Sequence, residues 1–314
     1  MGMMRVGFVG LGNMGLRMAA NLLKHGHQVV VNDVRGDVMT ALEAQGASVV
    51  SSPGELSEML VAGRRGSTGA GALDVVMTML PSSASVEEVY CGSEGLLTRL
   101  PNGSASSGTG PGMLMIDAST ISPGVSKAVA SEGKQRGVHV LDAPVSGGVV
   151  GAAAGTLTFM VGGERASYDR AESLLAAMGK KSVYCGEAGS GQAVKLCNNL
   201  ALAIQMASIA ESMALGQSLG LDLKVLSDVM NMSSARCWSR YAGTMMEAIR
   251  MPSRRRIRMR REPTGESQCR ARFRVSNNVP SDDAMFCTCI RHAQLLSVCA
   301  SLVPVRLGQL LSPF

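Results

Sequence analysis

The sequence predicts an α/β fold in which a doubly wound parallel sheet gives way to helix. Three observations predict it. Short apolar runs alternate with helical patterns from residue 5 to about 178, and strands separated in that way pair in parallel through crossover helices. A glycine-rich turn follows the first of those runs at once. From residue 189 to 220 no proline interrupts a stretch dominated by helix formers, which predicts one long helix.

In order along the chain, RVGFVG (5–10) reads as a buried strand. NMGLRMAANLLKHG (13–26) reads as a helix with Met14, Met18, Leu22 and Leu23 on one stripe and Gly26 as its stop. HQVVVND (27–33) is a second strand, which completes a βαβ opening. The alternation continues with ASVV (47–50), a helix from Pro53 to about Val61, DVVMTML (74–80) and a helix from Ser82. MLMID (113–117), a helix from about Pro123, VHVLDAP (138–144), GTLTFMVGG (155–163) and a helix from about Glu164 to Met178 follow. The long helix has apolar residues nearly all round, a distribution that predicts burial between domains. DLKVLSDVMNMS (222–233) is one more helix. GRRGSTGAGA (63–72) and PNGSASSGTGPG (101–112) are Gly/Ser-rich and are expected to be surface loop expansions.

With 314 residues, 46% of them hydrophobic, the chain is long enough for two domains. No unbroken apolar run reaches the ~18 residues of a membrane span, so a soluble protein is expected. MGMMRVGFVG enters a strand pattern at once, which leaves no stretch for a signal or transit peptide. Eight cysteines without paired spacing argue for a reducing compartment. The formal charge of +6 is unevenly spread: residues 1–237 hold 17 basic and 19 acidic residues, whereas 238–314 hold 13 basic residues, all Arg, and 5 acidic ones.

Gly10-Leu11-Gly12-Asn13-Met14-Gly15 stands between a strand and a helix. In such a turn the first glycine allows the tight reversal, the second lets backbone amides approach a pyrophosphate, and the third lets helix pack on strand. The helix N-terminus then offers unpaired N–H groups to the phosphates. Asp33 ends the second strand 18 residues after Gly15, where its carboxylate can accept from a ribose hydroxyl and repel a 2′-phosphate. A Rossmann domain binding NAD rather than NADP is therefore expected, with Arg35 a small argument the other way.

Lys195 and Asn199 stand four apart on the long helix and so project from one face. A buried lysine has a lowered pKa and suits proton exchange with a substrate oxygen during hydride transfer. Residue by residue, a surface lysine snorkelling on a helix with a capping asparagine is the better reading; Ser119 reads equally as a helix cap, and SGG (146–148) as a turn.

VGFVGLGNMG, DASTIS, DAPVSGG, GTLTFMVGG and GSGQAVKLCNN occur in the order and spacing of the β-hydroxyacid dehydrogenases, and the chain resembles that family over about residues 5–238. The resemblance implies an N-terminal Rossmann domain, a long connecting helix, an all-helical domain and a dimer or tetramer. It implies oxidation of a small 3-hydroxy acid, 3-hydroxyisobutyrate to methylmalonate semialdehyde in valine catabolism, with NAD and with Lys195 as general acid/base. Ser119, Gly147, Gly148 and Asn199 match its substrate-binding positions. Leu80, Pro81 and Thr120, with Gly10, Leu11, Gly12, Asn13, Met14, Gly15 and Asp33, match its cofactor contacts. Ser85 departs from the asparagine of close relatives. The resemblance also implies a mitochondrial location, against a cytoplasmic one if the N-terminus is complete.

The domains are thus expected at 1–163, the NAD-binding Rossmann domain; 164–238, the long helix and the start of the helical domain; and 239–314, a poorly ordered tail. SRRRIRMRREP (253–263) places six arginines in eight positions, and beyond Trp238 the family pattern is lost. An aberrant C-terminus is the favoured reading, which leaves the helical domain incomplete and opens the alternative of a catalytically impaired NAD-binding remnant, or of a related semialdehyde reductase. A nucleic-acid arm is disfavoured because stacking aromatics are nearly absent. Cys287, Cys289, His292 and Cys299 lack zinc-ligand spacing, so no metal is expected.

Overall fold

The computed structural model describes residues 2–64, 73–100 and 112–233. The expectations for the two Gly/Ser-rich loops, the arginine-rich tail and its cysteines fall almost wholly outside those residues. The chain divides into two compact units, Met1–Cys197 and Asn198–Phe314.

The first unit begins with β1 (Arg5–Val9), α1 (Gly15–Lys24), β2 (Gln28–Asn32), α2 (Gly36–Glu43), β3 (Ser48–Val49) and α3 (Pro53–Arg64). It continues with β4 (Val75–Thr78), α4 (Ser83–Cys91), β5 (Met113–Asp117), α5 (Pro123–Gln135) and β6 (Val138–Asp142). β7 (Val145–Ser146), α6 (Gly148–Ala154), β8 (Leu157–Gly162), α7 (Arg165–Ala176) and β9 (Gly179–Gly186) follow, and then the start of α8 (Ser190–Ser218). The strands form one sheet in the order β3-β2-β1-β4-β5-β6-β8-β7, with β9 paired to β8. From β3 to β6 every pairing is parallel. β8 runs antiparallel to β6 and β7 and parallel to β9, so the all-parallel sheet expected from the alternation ends at β6. Because β8 and β9 extend the same sheet, the first unit runs past residue 163 to Cys197.

Period-two alternation sorts the strand side chains onto two faces. Val6 and Phe8 of β1, Val29 and Val31 of β2 and Met77 of β4 join Met18 and Leu22 of α1 in one buried layer. Val9, Val30 and Val76 point the other way, to Leu56 and Leu60 of α3 and Tyr90 of α4. Burial on both faces is why the strands read as continuous apolar runs. The helix starts obey their caps: Ser82 accepts from Ser85 N at α4, and Ser122 from Gly124 N at α5, where Pro123 opens the helix.

In the second unit the remainder of α8 packs on α9 (Leu223–Met232), whose Asp222 cap accepts from Lys224 N. Ile209 and Met213 are buried there, with Leu223, Leu226 and Met230 partly buried against them. The expectation of a buried long helix is corrected: only 11% of its most apolar 18-residue window is buried among the described residues. Leu200, Ile204 and Leu215 are exposed. Among the described residues of the second unit α9 covers one side, and α8 is apolar on all of them. By length and composition alone α8 would also suffice to cross a membrane, with a mean hydropathy of 1.3 over that window.

Candidate active site

β1, β2, β4, β5 and β6 are mutually parallel, so the segments that follow them emerge at one edge of the sheet. The order reverses between β2-β1 and β1-β4, and open α/β sheets bind ligands outside the strand ends at such a switch. Gly10 lies at the switch with φ +91°, and a Cβ there would stand 2.4 Å from Met79 O. At Gly15 a Cβ would stand 1.9 Å from Gly10 O, so the helix start presses on the turn. At Gly12, by contrast, a Cβ would meet nothing within 4 Å. α1 has no side-chain cap and no acidic residue in its first turn. A bare helix N-terminus beside an open glycine fits a dinucleotide pyrophosphate. Leu11 is buried, whereas Asn13 is exposed and Met14 partly so.

Asp33 extends from β2 back over this turn. Its Oδ2 accepts from Leu11 N at 2.6 Å and its Oδ1 from Arg35 N at 2.9 Å. Arg35 closes the arrangement, with Nη2 donating to Leu11 O at 3.1 Å and Nε 3.5 Å from Asp33 Oδ1. Each carboxylate oxygen retains acceptor capacity for a ribose hydroxyl.

After β4 and β5 comes a buried network. Thr78 Oγ1 donates to Asp117 Oδ1 at 2.8 Å, Ser119 N donates to the same oxygen at 3.1 Å, and Ser119 Oγ donates to it at 2.5 Å. Tyr90 Oη lies 3.2 Å from Thr78 Oγ1. Leu80 N donates to Ser119 Oγ at 2.8 Å. Burial raises the pKa of Asp117 and puts that of Tyr90 well above its ordinary value. Ser119 is 0% exposed and its one proton is committed to Asp117. The same hydroxyl accepts from Leu80 N, while Pro81 and Thr120 are exposed. Ser85 braces the Ser82 cap, its Oγ 2.9 Å from Ser82 Oγ.

After β6, Gly147 and Gly148 take φ +136° and +62° and are exposed. Ser146, immediately before them and half-buried, was not singled out by the sequence. The signal was present, since it stands in the same VSGG run.

Asp142 meets the first turn of α8: its Oδ1 accepts from Gly189 N at 2.7 Å and its Oδ2 from Gln192 N at 2.9 Å. Lys195 follows on that helix, 9% exposed, and burial lowers its pKa from 10.5 to about 8. Asn199 lies a turn further on and is partly exposed. Among the described residues no group of three or more His, Cys, Asp or Glu is placed to hold a metal.

Two family models match the chain. The NAD binding domain of 6-phosphogluconate dehydrogenase matches residues 5–186, and the NAD-binding model of NADP-dependent 3-hydroxyisobutyrate dehydrogenase matches 189–259, some twenty residues past the expected loss of pattern at Trp238. The human mitochondrial 3-hydroxyisobutyrate dehydrogenase is 47% identical over 234 residues, 74% of this chain. The match spans 63% of the human protein's length. A solved Mycobacterium tuberculosis 3-hydroxyisobutyrate dehydrogenase with L-serine is 39% identical with a TM-score of 0.64, covering 76% of this chain and 73% of that one. Psf3 in complex with NADP+ and 2-OPP is 30% identical with a TM-score of 0.61, covering 77% of this chain and 79% of that one. A glycine turn at the switch of a parallel sheet, a buried lysine of lowered pKa on the helix that follows it, and relatives this close place the chain in the β-hydroxyacid dehydrogenase family, among its 3-hydroxyisobutyrate dehydrogenase-like members.

Proposed function

We propose that this protein oxidises 3-hydroxyisobutyrate to methylmalonate semialdehyde with NAD, as a step of valine catabolism in the mitochondrion. The observation that carries the reading is Lys195, a buried lysine near half-protonation at pH 8 on the helix that Asp142 anchors to the sheet edge. The names of the relatives support the substrate and the compartment. Nicotinamide, when bound, supplies the hydride acceptor.

The chain's own residues do the rest. Lys195 Nζ in its neutral form takes the hydroxyl proton of the substrate and returns it in the reverse direction. The exposed backbone of Gly147 and Gly148, with the Ser146 hydroxyl and Asn199, orients the carboxylate and hydroxyl. Ser119 serves by holding Leu80, and so Pro81 and Thr120, against the cofactor. Leu11 through Met14 cradle the pyrophosphate. NADH appearance with 3-hydroxyisobutyrate, against no appearance with Lys195→Ala, tests the assignment; equal rates in the two proteins would sink it.

The pH dependence follows from burial. Oxidation needs a neutral amine, so kcat/KM for the alcohol is expected to rise with pH through about 8 and level above it. Reduction of the semialdehyde needs the ammonium form and is expected to fall across the same range. A flat profile in both directions would remove Lys195 as the proton carrier.

NAD is the preferred cofactor in this reading because the Asp33 carboxylate stands beside the glycine turn, where it accepts from Leu11 N. Asp33→Asn is expected to lower kcat/KM for NAD about 10-fold, the value of a charged hydrogen bond, and to raise the NADP-to-NAD ratio. Arg35 would assist the 2′-phosphate once the carboxylate is gone. Parallel kinetics with the two cofactors measure both effects, and an unchanged ratio would argue that Asp33 does not choose between them.

A further inference from the structure

We propose that Gln192 is a positioning residue, whose carboxamide bolts the turn of α8 that carries Lys195 to the loop after β5 that carries Thr120. The proposal rests on the reading of Lys195 as the proton carrier.

Gln192 is 1% exposed and uses both ends of its side chain. Nε2 donates to Ser119 O at 2.7 Å, and Oε1 accepts from Ile121 N at 3.1 Å. The two bonds straddle Thr120, so one side chain fixes the backbone on either side of an exposed residue expected to touch cofactor. Its own N–H donates to Asp142 Oδ2. Lys195 stands three positions later, and residues so spaced share a helix face.

The entry to α8 is held close to the sheet as well. A Cβ at Gly191 would stand 2.2 Å from Met160 O, and one at Gly162 would stand 2.5 Å from Asp142 Oδ1. Asp142 and the glycines set where the helix begins. Gln192 supplies the side-chain hydrogen bonds from α8 to the β5–α5 loop among the described residues. A carboxamide is the group suited to this place, because it must donate to a carbonyl and accept from an N–H at once. Leucine fills the space and makes neither bond. Glutamate, when ionised, keeps only the acceptor.

The test compares Gln192→Leu, Gln192→Glu and Lys195→Ala in the full chain. Three quantities are read: thermal midpoint, the pH profile of kcat/KM for 3-hydroxyisobutyrate oxidation, and the pH dependence of Lys195 acylation followed by peptide mass spectrometry. In Gln192→Leu, kcat is expected to fall about 10-fold or more, with KM changed less. The kinetic midpoint and the acylation midpoint are both expected to move up from about 8, towards an exposed lysine's value, as the amine gains water. Gln192→Glu is expected to fall between Gln192→Leu and the parent, and it carries the test if the leucine variant does not fold. A role confined to stability lowers the thermal midpoint and leaves both pH midpoints at the parent's value, and that result overturns the proposal. Should Lys195→Ala retain full activity, the functional reading fails, while acylation of Lys195 still reports whether Gln192 holds the amine.

Discussion

Lys195→Met is expected to lower kcat/KM by about 10²–10⁴-fold and at the same time to make the protein more stable. The two effects have one origin. A lysine that is 9% exposed has surrendered most of its hydration, and among the described residues no carboxylate pairs with it: burial lowers its pKa. Holding the amine there costs on the order of 3 kcal/mol at neutral pH, because its pKa has fallen from 10.5 to about 8. The sign follows from proton counts. Between pH 8 and 10.5 the unfolded chain binds a proton that the folded one does not, so stability rises with pH across that window; below pH 8 the full cost is present. Methionine has nearly the same shape and no charge. Calorimetry of the two proteins at pH 7 should show a higher midpoint for the variant, and the difference should shrink as pH rises towards 10. A variant that is less stable at pH 7 would mean that the amine has a partner the geometry does not reveal.

Gly15→Ala is the substitution expected to cost most in cofactor binding. The added methyl would stand 1.9 Å from Gly10 O, a backbone atom that cannot rotate aside, and 3.2 Å from Phe8 Cε1 beneath it. The start of α1 must therefore lift from the turn, at about 1–3 kcal/mol in stability by the usual measure of overpacking. As it lifts, the amides that face the pyrophosphate lose their aim, and NAD affinity is expected to fall by more than about 10-fold. Gly12→Ala is the internal control for the fold, since its Cβ meets no protein atom within 4 Å. It should keep the thermal midpoint and lose affinity only through the space the methyl takes from the ligand. Titration of NAD by fluorescence with melting curves separates the two, and a Gly15→Ala protein that binds NAD as the parent does would contradict the assigned turn.

The strands β1 to β6 and most helices were legible because each buries its side chains on a regular period. The elements that escaped notice lack that signature. α2 buries only Leu42, so it shows no stripe. GVVGAAA of α6 is too uniform to show one, and GKKSVYCG of β9 is a sheet margin with two exposed lysines. The antiparallel turn of β8 was invisible for a different reason, since the composition of a strand does not record its direction. At the site, the glycine turn, Asp33 and Lys195 stood out because the chemistry expected of them depends on residue type and spacing. The contacts of Ser119 did not, because its hydroxyl proton goes to Asp117, two residues away. The openness of α8 escaped too: an all-round apolar helix announces that it wants covering and says nothing about what covers it.

The strand order carries a consequence for how the molecule comes into being. Val9 pairs with Thr78 just below the crevice, so the first wall of the cofactor groove waits for a partner synthesised some seventy residues later. The lysine arrives later still. Closing loops of that size before any reward is collected favours slow, all-or-none assembly, so a half-made chain owns a glycine turn long before it owns anything for that turn to face.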